Sequence, residues 1–239
     1  IPVLVQLGPV TLAEVGGGFF WNPRQEDLDM VRRIAVTGMT GGESSLRMSS
    51  EPARFAIFLY ARAIIITSQI AEGRVLLTAT DKQFRMDGGV VILKRPTQMN
   101  GRISLVVGLS KGYVEGTIDM TLYEPFVMRS KSQLAFYAYG SDAWGIDGWA
   151  DMEMFPPAGG TISIGMTSRS ELFIGPRGFL ATLGIERSLS IKKIVSLTGG
   201  FKGMVWYYEP TASWGAYASV YANVSVLFGA ATASGSLEG

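Results

Sequence analysis

YVEGTIDMTLYEP, residues 113–125, and GIDGWADMEMFPP, residues 145–157, are two copies of one pattern. Four of thirteen positions are identical: Gly116/Gly148, Asp119/Asp151, Met120/Met152 and Pro125/Pro157. Most others are conservative, including Val114/Ile146, Glu115/Asp147, Leu122/Met154 and Tyr123/Phe155. A fainter copy lies upstream at residues 86–96 (MDGGVVILKRP), centred on Gly88, and another downstream at Gly178 in PRGFLATLG. The glycines are spaced 28, 32 and 30 residues apart. A recurring period of this size means one supersecondary unit reused along the chain.

From Arg54 onward, strand-like segments follow one another almost without pause. β-Branched and aromatic residues recur at period two, and short Gly, Asp, Asn and Pro marks such as Asp87-Gly88, Asn100-Gly101 and Pro156-Pro157 separate them. Strand starts recur at about half the glycine period, so the unit is a β-hairpin, and consecutive hairpins join most simply as an antiparallel meander. No crossover helices are visible, which argues against a parallel α/β sheet. The expectation is an all-β chain: a long antiparallel meander of repeated ~30-residue hairpins, open, sandwiched or barrel-like, with about ten to thirteen strands. The glycines are expected at turn or bulge positions, and the closing SGSLEG is expected to be flexible.

One N-terminal helix is predicted over residues 23–36. Asn22 suits its N-cap, Pro23 its first position, Gln25 a capping box, and Gly38 its end. Leu28, Val31, Ile34 and Ala35 make one apolar stripe. The Gly/Ser-rich run 38–50 reads as a hinge, dividing the chain into a strand-helix segment, 1–49, and a repetitive β domain, 50–239. Gly16, Gly17 and Gly18 fit no phosphate-binding motif and read as a bend from strand to helix.

The 239 residues carry 21 basic and 20 acidic side chains and no block of like charge, which disfavours a nucleic-acid partner. Apolar residues reach 47% and charged ones only 17%, so an apolar surface, cavity or assembly interface is expected. The chain has neither Cys nor His. That removes Ser-His and Cys-His catalysis and the usual zinc sites, and the expectation is a protein that is not an enzyme and needs no cofactor. The longest apolar stretch, Phe55 to Ile66, contains Arg62 and is too short for a spanning helix. The start at Ile1 without Met suggests a segment of a larger repetitive assembly.

Alternation divides each repeat into two faces. Val114, Ile118, Met120 and Leu122 point one way, matched by Ile146, Ala150, Met152 and Met154. Glu115, Thr117, Asp119 and Thr121 point the other way, matched by Asp147, Asp151 and Glu153. The apolar set Val114, Ile118, Met120, Leu122, Ile146, Met152 and Met154 is the candidate groove or interface. A second sheet, the helix, lipid or another subunit must cover it. Asp142, Asp147, Asp151 and Glu153, with Trp149 and Trp144 among them, form the densest polar cluster. It reads as a solvated strand face that recurs with the fold; a calcium or sugar site, or a catalytic carboxylate pair, is the sharper alternative. In residues 214–228, Trp214, Ala216, Ala218, Val220, Ala222, Val224 and Val226 share a uniformly apolar face. Core packing and the outward face of a membrane barrel both produce that pattern.

The segments NGRISLVVGLSKGYVEGTIDMTLY, 100–123, and AWGIDGWADMEMF, 143–155, resemble repeats of the AsmA/TamB-type β-groove proteins of the bacterial envelope. The likeness covers residues 70–185, and it implies stacked strands forming a lipid-conducting trough. The opening GPVTLAEVGGGFFWNP, 8–23, resembles very large repetitive β-rich bacterial proteins. Neither likeness carries a functional residue across. Three functions are therefore expected in order: an extracytoplasmic, non-catalytic structural or interaction scaffold that partners itself or other β-rich subunits; a lipid-binding or lipid-transfer groove; and an outer-membrane β-barrel.

Overall fold

The computed structural model describes residues 2–7, 10–36, 52–65, 71–92, 98–109, 112–124, 127–140, 143–154, 162–191, 194–226 and 231–238. Period-two alternation produces strands, as expected. They are β1 (Pro2–Leu7), β2 (Val10–Trp21), β3 (Phe55–Ile65), β4 (Ala71–Thr80), β5 (Gln83–Ile92), β6 (Gln98–Gly108) and β7 (Tyr113–Glu124). The chain continues with β8 (Met128–Tyr139), β9 (Ala143–Met154), β10 (Ile162–Gly175), β11 (Gly178–Ile191), β12 (Val195–Tyr208), β13 (Ser213–Val226) and β14 (Ala231–Glu238). The α-helix α1 (Gln25–Val36) lies between β2 and β3, and a 3-10 turn, Glu209–Thr211, between β12 and β13. All fourteen strands belong to one sheet in sequence order from β1 to β14, and the ladders that join β1 to β6 and β9 to β14 are antiparallel. The all-β hairpin meander is thus the fold.

Two strands differ from the sequence reading. ISIGM, the described part of GTISIGM, and SELFIG, read as separate strands, are parts of β10, because Thr167, Ser168 and Arg169 interrupt the alternation without breaking the ladder to β11. The closing segment is strand β14, paired with β13 from Ser219↔Glu238 to Val226↔Ala231. Its small and polar residues hide it from a hydrophobic pattern.

The chain forms two compact units. Unit 1 comprises Ile1–Thr121 with Ala135–Trp144; unit 2 comprises Leu122–Leu134 with Gly145–Gly239. These bounds do not follow the hinge expected at residue 49: β2, before it, pairs with β3, after it, from Val10↔Ile65 to Trp21↔Phe55. The hinge residues themselves, 38–50, lie outside the described residues, as does Gly38 as a helix stop.

The start of α1 also differs. Asn22 has a left-handed backbone (φ 48°) and donates its N–H to the carbonyl of Arg54 at 2.8 Å, so it serves the turn and not the helix cap. The cap is half of a capping box: the Asp27 carboxylate accepts the Arg24 N–H at 2.9 Å. Glu26 and Asp27 sit in the first turn, where the helix dipole favours acids. The Gly16–Gly18 run is not the bend. It lies inside β2, with Gly18 opposite Phe58, whose ring covers it.

The repeated glycines Gly88, Gly116 and Gly148 are likewise strand-interior positions, so Gly116 and Gly148 do not sit in turns. Gly116 is buried beneath the ring of Phe136 from β8, where a Cβ would collide with it. A missing side chain there is a seat for an aromatic ring on the neighbouring strand. Gly178, in contrast, is a turn glycine (φ 128°) and falls out of the series.

Candidate functional site

The ladders carry alternation from strand to strand, so each unit has two faces whose composition follows from register. In unit 1 one face runs in rows across β2 to β6: Phe19, Ile57, Ala79, Phe84 and Val107; then Gly17, Leu59, Leu77, Met86 and Leu105; then Val15, Ala61, Val75, Gly88 and Ile103. No charged residue interrupts these rows. In unit 2 the corresponding rows cross β9 to β13: Ile174, Phe179, Tyr207 and Trp214 at one end; Gly148, Leu172, Ala181, Val205 and Ala216; then Ala150, Ser170, Leu183, Gly203 and Ala218; then Met152, Ser168, Ile185, Phe201 and Val220. Arg187 is the one charge on this face, near the far end, where a long side chain can extend toward water.

These apolar rows hold many of the exposed large hydrophobic side chains, with others such as Phe84, Met86 and Leu105 half-buried. Trp214 is 78%, Trp21 72%, Leu59 55% and Val220 53% exposed. The polar face is the buried one in unit 1, where Gln83, Arg85, Asp87, Ser104, Glu115 and Thr117 are all buried. The reading of Glu115 and Thr117 as a solvated face is therefore corrected. Alternation identifies two faces but not which of them other atoms cover.

The helix settles part of that question. Val31 of α1 packs with Leu76, Phe20, Phe58 and Tyr60, and register puts all four on the polar face. The helix thus covers a local apolar patch on the otherwise polar side and leaves the apolar face untouched. Among the described residues there is a single sheet, so no second sheet covers it either.

Beside the helix the polar face carries two ion-pair networks. Arg85 grips Asp87 with two donors, Nε to Oδ2 at 2.6 Å and Nη2 to Oδ1 at 3.1 Å, and Ser104 donates to Oδ1 at 2.8 Å. Arg62 binds Glu72 through Nε at 2.9 Å and Nη2 at 3.0 Å, while Arg74 Nε reaches the same carboxylate at 2.6 Å. Such charges survive burial because they are paired and hydrogen-bonded. The sequence reading missed this constellation. Its signal was present in QFRMDGG, where Arg85 and Asp87 alternate with Phe84 and Met86.

The candidate residues separate along the same lines. Ile146, Met152 and Met154 lie on the apolar face of unit 2, Met154 exposed and the other two half-buried. Val114, Ile118 and Leu122 are half-buried along β7, and Met120 is exposed. Asp147, Trp149, Asp151 and Glu153 share the polar face of β9, opposite Phe173, Glu171, Arg169 and Thr167. Asp142 lies outside the described residues. Arg169 Nη2 meets Glu171 Oε1 at 2.9 Å and its Nε approaches Asp151 Oδ1 at 3.8 Å. No three acidic residues among those described are gathered as metal ligands.

Both apolar faces end in an aromatic rim. In unit 1, Trp21 closes β2 opposite Phe55, which opens β3, and Phe19 stacks on Phe55 with ring centroids 6.4 Å apart. In unit 2, Phe179, Tyr207 and Trp214 stand opposite one another at the ends of β11, β12 and β13. Comparison with protein-family models, curated proteins and solved structures found no match for this chain.

Proposed function

We propose that the chain is a membrane-embedded β-sheet protein of the outer-membrane β-barrel type, its apolar face against lipid acyl chains and its polar face toward an aqueous interior. One observation carries this reading: the apolar alternate residues stand in rows free of charge across β2 to β6, with large side chains such as Phe19, Ile57 and Leu59 exposed, while the polar ones of unit 1 are buried. A protein folded for water covers the opposite set. Lipid is the solvent in which the observed arrangement is the stable one.

Strand length supports it. The strands that build the apolar rows, β2 to β6 and β9 to β13, contain 10 to 14 residues; a tilted membrane strand needs about 9–11. From Val195 to Tyr207 the apolar side of β12 extends about 40 Å along the strand, or about 30 Å of depth at the tilt usual for barrels. The aromatic rims correspond to the interfacial girdle in which amphipathic rings sit at headgroup level. Next-neighbour antiparallel pairing satisfies the backbone of the inner strands within the sheet, and in hydrocarbon the outer edges of β1 and β14 would need a further pairing partner. Turns such as Asp81–Lys82 and Pro176–Arg177 are short, as at one end of such sheets. That no helix among the described residues is long and apolar enough to cross a membrane has no bearing on strands.

On this reading the scaffold expected from sequence is a membrane wall, its principal partner is lipid, and its place is the cell envelope. No catalytic step is assigned to it. The test uses variants retaining a single tryptophan, either Trp214 on the apolar face or Trp149 on the polar face, reconstituted in phosphatidylcholine vesicles brominated near the headgroup end of the acyl chains. Strong quenching of Trp214 fluorescence with little quenching of Trp149 is the expected result. Equal quenching, or a protein that stays monodisperse without detergent and ignores the vesicles, overturns the proposal.

A further inference from the structure

The polar face of unit 2 differs from that of unit 1 in carrying exposed aromatic and apolar side chains among exposed charges. An open depression of about 400 Å³ lies over β9 and β10, lined by Asp147, Trp149, Asp151, Arg169, Glu171 and Phe173 among others. Register builds it from pairs: Asp147 opposite Phe173, Trp149 opposite Glu171, Asp151 opposite Arg169. Two aromatic rings therefore sit in adjacent rows, with hydrogen-bonding groups on either side. Trp149 is oriented by its indole N–H, which donates to Gln133 Oε1 at 3.2 Å. Phe173 is 40% exposed, and the side chains of Arg169 and Glu171 are 67% and 44% exposed.

We propose that this depression binds a neutral, gluco-configured oligosaccharide. The chemistry of the lining selects that class. A pyranose with equatorial hydroxyls has a flat C–H face that stacks on an aromatic ring, and Trp149 and Phe173 supply two such surfaces. Its rim of hydroxyls requires planar groups that accept or donate two hydrogen bonds, which Asp147, Asp151, Glu171 and Arg169 provide. Three carboxylates against one guanidinium repel anionic sugars and phosphates. An acyl chain would leave these polar groups unsolvated, at a cost that excludes it. The site does not depend on the membrane reading: a sugar bound here would be held whether or not the opposite face meets lipid.

The experiment is isothermal titration of the full chain with maltohexaose and with cellohexaose, in a zwitterionic detergent because maltoside headgroups would compete. Saturable binding of at least one hexasaccharide is expected, with tri-galacturonate inert. Trp149→Ala should weaken binding at least about tenfold, the equivalent of about 1.4 kcal/mol. Trp149→Phe, which retains a ring, should stay within about threefold of the parent. Glu171→Gln, still able to accept a hydrogen bond, should also bind, and Glu171→Ala should not. No saturable heat with either sugar up to about 10 mM, well beyond the millimolar affinity of a weak site, overturns the proposal. So does binding that is indifferent to Trp149→Ala in a variant with unchanged circular dichroism.

Discussion

Asp87 in unit 1 and Asp147 in unit 2 occupy the same place in the hairpin repeat, each immediately before its glycine and each on the polar face. Asp87 is 2% exposed, held by two donors of Arg85 and by Ser104. Asp147 is exposed and stands opposite a phenyl ring. The repeat thus fixes where a carboxylate points, and the surrounding side chains decide what it does. In unit 1 the face is filled by paired charges and by α1; in unit 2 an open depression lies over β9 and β10.

That contrast breaks most sharply by substitution. Asp87→Asn should cost about 3–5 kcal/mol, the usual penalty for removing one member of a buried ion pair. Asp147→Asn should stay within about 0.5 kcal/mol, as surface changes do. Denaturant unfolding of both variants, followed by circular dichroism in micelles, measures the difference. Similar costs at the two sites would mean that the units are not distinguished in this way.

The apolar face should show no such asymmetry, since both units present it outward. Leu59→Lys in unit 1 and Phe201→Lys in unit 2 each place an ammonium near the middle of the apolar band. Each should destabilise the protein in bilayers by about 2–4 kcal/mol. Near-neutral lysines at both positions would place that face in water.

Glycine separates the units again, at smaller cost. The sequence repeat predicts equal effects of Val at Gly116 and Gly148. The packing does not: at Gly116 a Cβ meets the ring of Phe136, while at Gly148 it meets the mobile end of Leu134, Cδ1, at 3.0 Å. Gly116→Val should therefore cost about 2–3 kcal/mol, within the usual range for overpacking, and Gly148→Val about 1 kcal/mol or less. Unfolding free energies in one detergent decide it, and equal values would restore the simple repeat.

Much of this was legible in the sequence for a definite reason. Alternation with hairpin punctuation reports strand and turn directly, so the meander and both faces could be read from residues 113–125 and 145–157. What covers a face is not a local property. Glu115 and Thr117 look like solvated residues because nothing near them in sequence reveals what packs above them. Leu76, Phe58 and Tyr60 are ordinary strand residues by sequence, and only the fold brings Val31 of α1 against them. Ile146, Met152 and Met154 share one face of β9, and Asp147, Trp149, Asp151 and Glu153 share the other. Their partners, Arg169, Glu171 and Phe173, come from β10, and only the register of the β9–β10 ladder joins them. The glycine misreading has the same origin, since the ring over Gly116 belongs to another strand.

The smallest effect is expected at the charge pair that outwardly resembles the buried one. Arg169 and Asp151 approach at 3.8 Å with side chains 67% and 47% exposed, against 3% and 1% for Arg85 and Asp87. Water reaches both side chains in the first case, although Asp151 Oδ1 itself is covered, and holding two long side chains together costs entropy, so the coupling should be under about 0.5 kcal/mol. A double-mutant cycle with Arg169→Ala and Asp151→Ala measures it. Raising the salt from about 0.05 M to about 0.5 M shortens the screening length to a few ångströms and should abolish what remains. The Arg85–Asp87 pair, shielded from mobile ions, should keep its contribution under the same change. A salt-resistant coupling at Arg169 would show that this part of unit 2 is as closed as unit 1, and the depression over Trp149 could then not admit a sugar.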